Sequence, residues 1–94
     1  MDQENFRNLD DEMLLFQLSQ GSEHAFDILF DRYWKDVFNN AYKRLNNVEV
    51  ARDITGEVFS KLETRDTSRK IYSLSQFLSD TTRESLFEHL QRQG

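Results

Sequence analysis

Three charged side chains in the second half of the chain recur at regular spacing. Asp53, Glu57 and Lys61 stand four residues apart, which places them along one face of a helix. One interpretation is an exposed row of i, i+4 ion pairs, because Glu57 precedes Lys61 in the favourable orientation. The other is an acidic surface that docks on basic residues of a partner protein. Gly56, inside the same helix, is either a tolerated substitution or a point of close approach for another helix.

The segment that follows, residues 64–72, is polar and basic and has no helical periodicity. It carries the cations Arg65, Arg69 and Lys70 and one tyrosine, Tyr72. One interpretation is a solvated loop in which Tyr72 is a buried anchor. In the other, the cations contact phosphates and the loop holds an unstacked base, which requires stacking and hydrogen bonds to the base edge.

The next predicted helix carries three side chains suited to nucleic acid. Gln76, Ser79 and Arg83 share one face, and amide and guanidinium groups bind base edges or phosphates. Asp80 and Glu84 lie beside them and oppose a phosphate. The three side chains therefore form a candidate nucleic-acid surface that contains two carboxylates.

No residue pattern points to catalysis or to a bound metal. The chain has no cysteine, which excludes disulfide scaffolds, thiolate nucleophiles and zinc fingers. Its two histidines, His24 and His89, lack metal-ligand spacing, and we expect both on helix surfaces. The sequence also lacks a glycine-rich phosphate loop, a Walker-type lysine and a Ser–His–acid order. We therefore expect a binding module with no enzyme activity, no cofactor and no metal.

Charge is unevenly distributed along the 94 residues, whose net charge is −5. Residues 1–63 carry seven basic and thirteen acidic side chains, whereas residues 64–94 carry five basic and four acidic ones. This balance argues against strong binding to duplex nucleic acid and suits a protein partner with a basic surface. No apolar run approaches the roughly 20 residues of a membrane span, and the N-terminus has no signal-peptide core, so we expect a cytoplasmic protein.

The elements that must position these residues are helices. With no proline and three glycines, the chain is predicted to be all-α, a compact bundle of about four helices. Residues 1–9 are expected to be frayed or disordered, and residues 10–94 to form a single domain. Capping residues and apolar spacing predict helices over 10–19, 22–45 and 48–63, and a fourth that opens at Ser73. The expected core includes Phe26, Phe30, Tyr33, Val37, Ile54, Val58, Phe77 and Leu90.

Three segments of the chain together resemble region 2 of bacterial sigma factors, in particular the small extracytoplasmic-function group. The first, within 11–34, is similar to that family's acidic-Leu start, its Gly-x-x-x-Ala-Phe turn and its Leu-Tyr/Phe-x-x-Tyr helix. The second, Ala51–Leu62, is similar to Ala-x-Asp-Leu-x-Gln-Glu-x-Phe-x-x-Leu. The third, Phe77–Leu86, is similar to Trp-Leu-x-x-Ile-Ala-Arg-Asn. The resemblance covers roughly residues 10–92 and rests on the order and spacing of all three segments.

The resemblance implies a transcription initiation factor domain. In that family the helix of the second segment docks on the clamp helices of the RNA polymerase β′ subunit. The loop and helix after it recognise and melt the promoter −10 element, mainly as single-stranded DNA. The implied polymerase-binding residues are Asp53, Ile54, Gly56, Glu57 and Lys61. The implied DNA-binding residues are Arg65, Arg69, Lys70, Tyr72, Gln76, Ser79 and Arg83.

The sequence departs from the family pattern at several places. Gly56 replaces the family's Gln, Glu63 stands near the usual Trp, Glu84 follows Arg83 in place of Asn, and Glu88 replaces a later Asp. Region 4, which reads the −35 element in that family, has no counterpart in these residues. Two alternatives stay open: a sigma-like regulatory domain that binds polymerase or an anti-sigma protein without DNA, and an unrelated helical adaptor for another protein.

Overall fold

The computed structural model of the protein describes residues 9–93, most of which are helical. The helices are α1 (Asp11–Ser19), α2 (Glu23–Leu45), α3 (Val48–Thr64) and α4 (Leu74–Gln93). No strand occurs within residues 9–93. The prediction of an all-α chain with about four helices is therefore confirmed. The segment predicted to be frayed lies outside the described residues except for Leu9.

Each helix begins at a side chain that the sequence predicts as its cap. The acceptor and donor pairs are Asp10 Oδ1 with the Met13 N–H at 2.9 Å, Ser22 Oγ with the Ala25 N–H at 3.1 Å, Asn47 Oδ1 with the Val50 N–H at 3.0 Å, and Ser73 Oγ with the Gln76 N–H at 3.2 Å. A cap of this kind satisfies a backbone donor that has no partner within the helix. The helix starts are therefore fixed by local interactions.

The turns after α1 and α2 use residues that tolerate positive φ. Gly21 has a φ of 90° and Asn46 a φ of 53°. The Gly21 N–H donates to the Leu18 carbonyl oxygen at 2.9 Å, and the Asn46 N–H donates to the Tyr42 carbonyl oxygen at 2.7 Å. Both turns lie where the sequence predicts helix ends, because glycine and asparagine adopt this conformation at low cost.

The chain divides into two compact units, Met1–Tyr33 and Trp34–Gly94, with the boundary inside α2. In the first unit, Asp11 of α1 accepts from Arg32 Nη1 at 3.1 Å and from the Tyr33 hydroxyl. Arg32 also donates from Nη2 to the Leu9 carbonyl oxygen at 2.7 Å. Polar contacts thus join α1 to the first half of α2. The single domain expected over residues 10–94 stays a prediction.

The aromatic residues of the first unit are less buried than predicted. Phe26, Phe30 and Tyr33 are half-buried, and the rings of Phe26 and Phe30 stack at a centroid distance of 6.4 Å. Ala25 and Ile28 are buried instead. The buried stripe of α2 in this unit therefore runs about one residue earlier in the helical repeat than predicted.

In the second unit, α3 packs against α4. The buried apolar side chains of this unit are Val37, Ala41, Ala51, Ile54, Val58, Phe59, Leu62, Leu74, Leu78 and Leu86. Two buried hydroxyls, those of Thr55 and Thr82, donate to the carbonyl oxygen four residues earlier, at 2.8 and 2.7 Å. The core holding α3 in place is thus mostly apolar, and these hydroxyl groups are satisfied within their own helices.

Core predictions in the second unit are confirmed for three residues and wrong for two. Val37, Ile54 and Val58 are buried as predicted. Phe77 is half-buried, and Leu90 is 54% exposed although the sequence pattern places it on the buried side of the last helix. The buried stripe of α4 passes through Leu78, Thr82 and Leu86 and leaves Leu90 on the solvent side.

Candidate functional site

One side of α3 is exposed to solvent along most of its length. Six exposed residues on this side are named here the α3 outer face: Glu49, Arg52, Asp53, Gly56, Ser60 and Glu63. They lie opposite the buried stripe of the same helix, as a repeat of 3.6 residues requires. Three acidic side chains and one basic side chain leave this face with a negative charge.

Small residues occupy the middle of the α3 outer face. A Cβ atom at Gly56 would have no neighbour within 4 Å. Within residues 9–93, no element therefore approaches Gly56 closely enough to need a glycine there. If close approach is the reason for this glycine, the approaching surface lies outside residues 9–93.

Two of the charged residues at four-residue spacing turn toward α4 rather than toward each other. Glu57 Oε2 accepts from Arg92 Nη2 at 3.4 Å. Lys61 Nζ lies 3.1 Å from Glu88 Oε1 and 3.5 Å from Glu84 Oε1. The row of i, i+4 pairs is thus replaced by ion pairs between α3 and α4.

The surroundings of Lys61 favour its charged form. Burial lowers the pKa of its ammonium group. The hydrogen bond that Lys61 donates to Glu88 and the charge attraction of Glu84 and Glu88 outweigh this effect and hold the pKa above its ordinary value of 10.5. Lys61 therefore stays protonated and bridges two carboxylates of α4 at neutral pH.

The predicted polymerase-binding residues consequently divide into three groups. Asp53 and Gly56 belong to the α3 outer face. Glu57 and Lys61 lie on the edge next to α4 and bind side chains of α4. Ile54 is 1% exposed and packs in the core, so it offers a partner no surface.

The loop between α3 and α4 is braced by its own side chains. Arg65 Nη1 donates to the carbonyl oxygen of Arg69 at 2.7 Å and to that of Asp66 at 3.2 Å. Asp66 Oδ1 accepts from the Ser68 N–H at 3.0 Å, and hydrogen bonds from Ser68 hold the pKa of this carboxyl below its ordinary value. Arg65 thus organises the turn, which leaves Arg69 and Lys70 as the exposed cations of the loop.

Tyr72 projects from this loop into solvent. Its side chain is 88% exposed, so the interpretation of Tyr72 as a buried anchor is wrong. Lys70 Nζ lies 5.4 Å from the centroid of the Tyr72 ring, within range of a cation–π interaction. An exposed ring beside a cation is a suitable stacking platform for a base, and Tyr72 itself does not lie in an enclosed pocket.

The candidate nucleic-acid residues of α4 gather around a carboxylate. Asp80 Oδ1 accepts from Gln76 Nε2 at 2.9 Å and pairs with Arg83 Nη1 at 3.4 Å. Ser79 is half-buried. A phosphate or base that approached Gln76 and Arg83 would therefore compete with Asp80 for the same donors.

Two features of α4 lie outside the sequence-based predictions. Glu84, Glu88 and Arg92 bind side chains of α3, and Phe87 is 61% exposed. The charged residues at positions 84, 88 and 92 stand four residues apart, a spacing that indicates one charged side of α4. Which helix these residues contact depends on how the helices pack, and the spacing within α4 does not show this.

No group of three or more His, Cys, Asp or Glu side chains in residues 9–93 is arranged to hold a metal ion. In the same part of the chain, no helix is both long enough and apolar enough to cross a membrane.

In comparisons with known proteins, no protein-family model, curated protein or solved structure gives a match to this chain. The resemblance to sigma factor region 2 therefore rests on the motifs in the sequence and stays a prediction.

Proposed function

We propose that this chain is a transcription initiation factor domain similar to region 2 of bacterial sigma factors. It binds core RNA polymerase through the α3 outer face and single-stranded promoter DNA through the loop after α3. One observation carries the proposal: an exposed acidic helix face is followed directly by a loop with an exposed tyrosine and two exposed cations. The resemblance requires these two surfaces in this order.

The α3 outer face suits a helical, basic partner. Asp53 and Glu49 are exposed, and Asp53 forms no ion pair within residues 9–93. Gly56 and Ser60 leave little side chain between them, so the backbone of a partner helix can approach closely. In the proposed complex this partner is the pair of clamp helices of the β′ subunit, and charge complementarity favours encounter and orientation.

Glu57, Lys61 and Ile54 serve as positioning residues in this proposal. Ile54 holds α3 in the core, and the pairs of Glu57 with Arg92 and of Lys61 with Glu88 fix α3 relative to α4. The docking face and the loop then keep a constant geometry. Substitution of these residues changes binding indirectly, through the orientation of α3.

The proposed DNA contact is small and suits an unpaired strand. Tyr72 supplies a ring for stacking, and Arg69 and Lys70 supply charge for the phosphates nearby. So few cations on a chain of net charge −5 release few counterions from duplex DNA. We therefore expect DNA binding within the polymerase complex, with a shallow dependence on salt. The proposed location is the cytoplasm, where the polymerase acts.

A second candidate function is a regulatory domain that binds polymerase or an anti-sigma protein and leaves DNA alone. The contacts of Asp80 with Gln76 and Arg83 favour it, because they occupy two of the groups suited to DNA. Promoter opening by the parent chain and by a Tyr72→Ala variant separates the two. Opening by the parent that Tyr72→Ala abolishes, with unchanged polymerase binding, supports the DNA contact. Polymerase binding by the parent without promoter opening supports the regulatory domain.

The polymerase contact is tested by reversing one charge on the α3 outer face. Asp53→Lys is expected to weaken binding to purified bacterial core polymerase about tenfold, because it places a cation against a basic surface. Asp36→Lys on α2 makes the same change at another exposed aspartate and is expected to leave binding within about twofold. Thermal unfolding controls for loss of structure.

Two results would contradict the proposal. Equal binding by Asp53→Lys and the parent chain would remove the α3 outer face from the interface. Absence of binding by the parent chain would favour an adaptor for some other protein.

A further inference from the structure

A groove in the second unit combines apolar walls with two arginines. It lies between the C-terminal end of α2 and the second half of α4 and has a volume of about 290 Å³. Its lining residues are Arg44, Leu45, Arg83, Leu86, Phe87 and Leu90. None of the proposed contacts with polymerase lies in it, and of the proposed DNA contacts it includes only Arg83.

The apolar part of the groove is open to solvent. Phe87 is 61% exposed and Leu90 is 54% exposed, and they stand three residues apart on the same side of α4. The half-buried Leu45 of α2 and the buried Leu86 line the groove beside them. Contiguous exposed apolar side chains of this kind mark sites of association in soluble proteins.

The rim of the groove is basic although the chain as a whole is acidic. Arg44 donates from Nε to the Asn40 side-chain oxygen at 3.3 Å, an uncharged partner. Arg83 pairs with Asp80 at 3.4 Å, and both side chains of that pair are more than half exposed. The acidic residues next along α4 bind Lys61 on another side of the helix. Two guanidinium groups thus flank an apolar floor.

We propose that this groove binds an acidic amphipathic helix of a partner protein. Apolar side chains of that helix contact Leu45, Phe87 and Leu90, and its carboxylates pair with Arg44 and Arg83, a helix-in-groove arrangement. Charge complementarity selects carboxylates over cations. The apolar floor, with donors at its rim, favours a protein segment over a nucleic acid. This inference does not depend on the proposed polymerase contact.

A selection from a displayed library of randomised amphipathic helices tests the proposal on the full chain. The selected helices are expected to place Asp or Glu beside Leu or Phe. Phe87→Ser and Arg44→Glu are each expected to weaken binding of the selected peptide about tenfold or more, since exposed aromatic and arginine anchors dominate such interfaces.

Matched variants at other exposed positions keep this test specific. Phe16 is 56% exposed on α1, and Arg52 is exposed on α3. Phe16→Ser and Arg52→Glu are expected to leave peptide binding within about twofold. Thermal unfolding of all four variants shows that each is folded.

Four outcomes would overturn the proposal. The first is selection of basic helices, and the second is selected peptides that bind Phe87→Ser and Arg44→Glu as tightly as the parent. The third is displacement of the peptide by single-stranded DNA with the same dependence on Phe87. The fourth is a dimer of the parent chain that Phe87→Ser dissociates. The third result would assign the groove to nucleic acid and the fourth to a second copy of the chain.

Discussion

The two sides of α3 carry charged residues at similar spacing but in different surroundings. On the edge next to α4, Glu57 pairs with Arg92, and Lys61 bridges Glu84 and Glu88. On the α3 outer face, Asp53 is exposed and forms no ion pair within residues 9–93. Residues with the same four-residue spacing thus differ in role: Glu57 and Lys61 bind side chains of this chain, whereas Asp53 is available to a partner.

The ion pairs between α3 and α4 contribute little to stability. The side chains of Glu57 and Lys61 are 37% and 32% exposed. Ion pairs with this much contact with water contribute at most about 1 kcal/mol each. The stability of α3 therefore comes chiefly from its buried apolar stripe.

The largest expected effect tests the buried side of α3. Phe59 is 1% exposed, and Phe59→Ala is expected to lower the free energy of unfolding by about 3–5 kcal/mol, a large part of the total for a small domain. Phe16→Ala, at a ring that is 56% exposed, is expected to cost far less. Urea denaturation followed by circular dichroism measures both. Equal losses would show that the burial difference does not govern stability.

A smaller effect is expected at the centre of the α3 outer face, where stability and binding should change in opposite directions. Gly56→Ala removes the entropic penalty of glycine within a helix and is expected to raise the free energy of unfolding by about 0.5–1 kcal/mol, because the new methyl group meets no neighbour. The same methyl group is expected to weaken polymerase binding, because it separates the partner helix from the α3 backbone.

Ser60→Ala, on the same face, adds no bulk and serves as the matched control. A loss of stability in Gly56→Ala would mean that the space beside Gly56 is occupied within this chain. Unchanged polymerase binding would mean that the partner does not approach Gly56.

The smallest expected effect is at the ion pairs that Lys61 of α3 forms with α4. Lys61→Met keeps most of the aliphatic stem and removes the ammonium group, so it is expected to lower the free energy of unfolding by a few tenths of a kcal/mol. Added salt should reduce this difference, because the pairs are partly exposed. Lys43→Met, at an exposed lysine of α2 that forms no ion pair within the described residues, is the control.

The pH dependence of this difference follows from the raised pKa of Lys61. Its contribution is fully present below the ordinary pKa of 10.5 and is lost as the pH rises through the higher pKa of the folded state. Parent and Lys61→Met should therefore converge in stability at strongly alkaline pH. A difference that grew with pH would contradict the assigned ion pairs.

The sequence predicts the helices well because their ends depend on neighbouring residues. Asp10, Ser22, Asn47 and Ser73 each cap a helix through an N–H three residues later, and this contact can be recognised from spacing alone. The buried stripe of α3 follows in the same way from its strong apolar periodicity, which includes Ile54.

The parts that the sequence did not predict depend on contacts between distant residues. The partners of Lys61 stand 23 and 27 residues away, and spacing within α3 suggested Glu57 instead. Leu90 and Phe87 are exposed because α4 is rotated by the packing of Leu78, Thr82 and Leu86. Tyr72 carries no periodic signal, since it lies in a loop whose turn is formed by Arg65 and Asp66.

Site-directed photocrosslinking tests the central claim, that the α3 outer face contacts core polymerase. A benzoylphenylalanine at Glu63, at the end of that face and away from the close approach proposed at Gly56, is expected to crosslink to the β′ subunit of purified core polymerase. The same photoreactive residue at Asn39, an exposed position of α2, is expected to give no such product. A β′ crosslink from Glu63 alone is the result that the account predicts. Absence of a β′ crosslink from Glu63, or equal crosslinking from both positions, would contradict it.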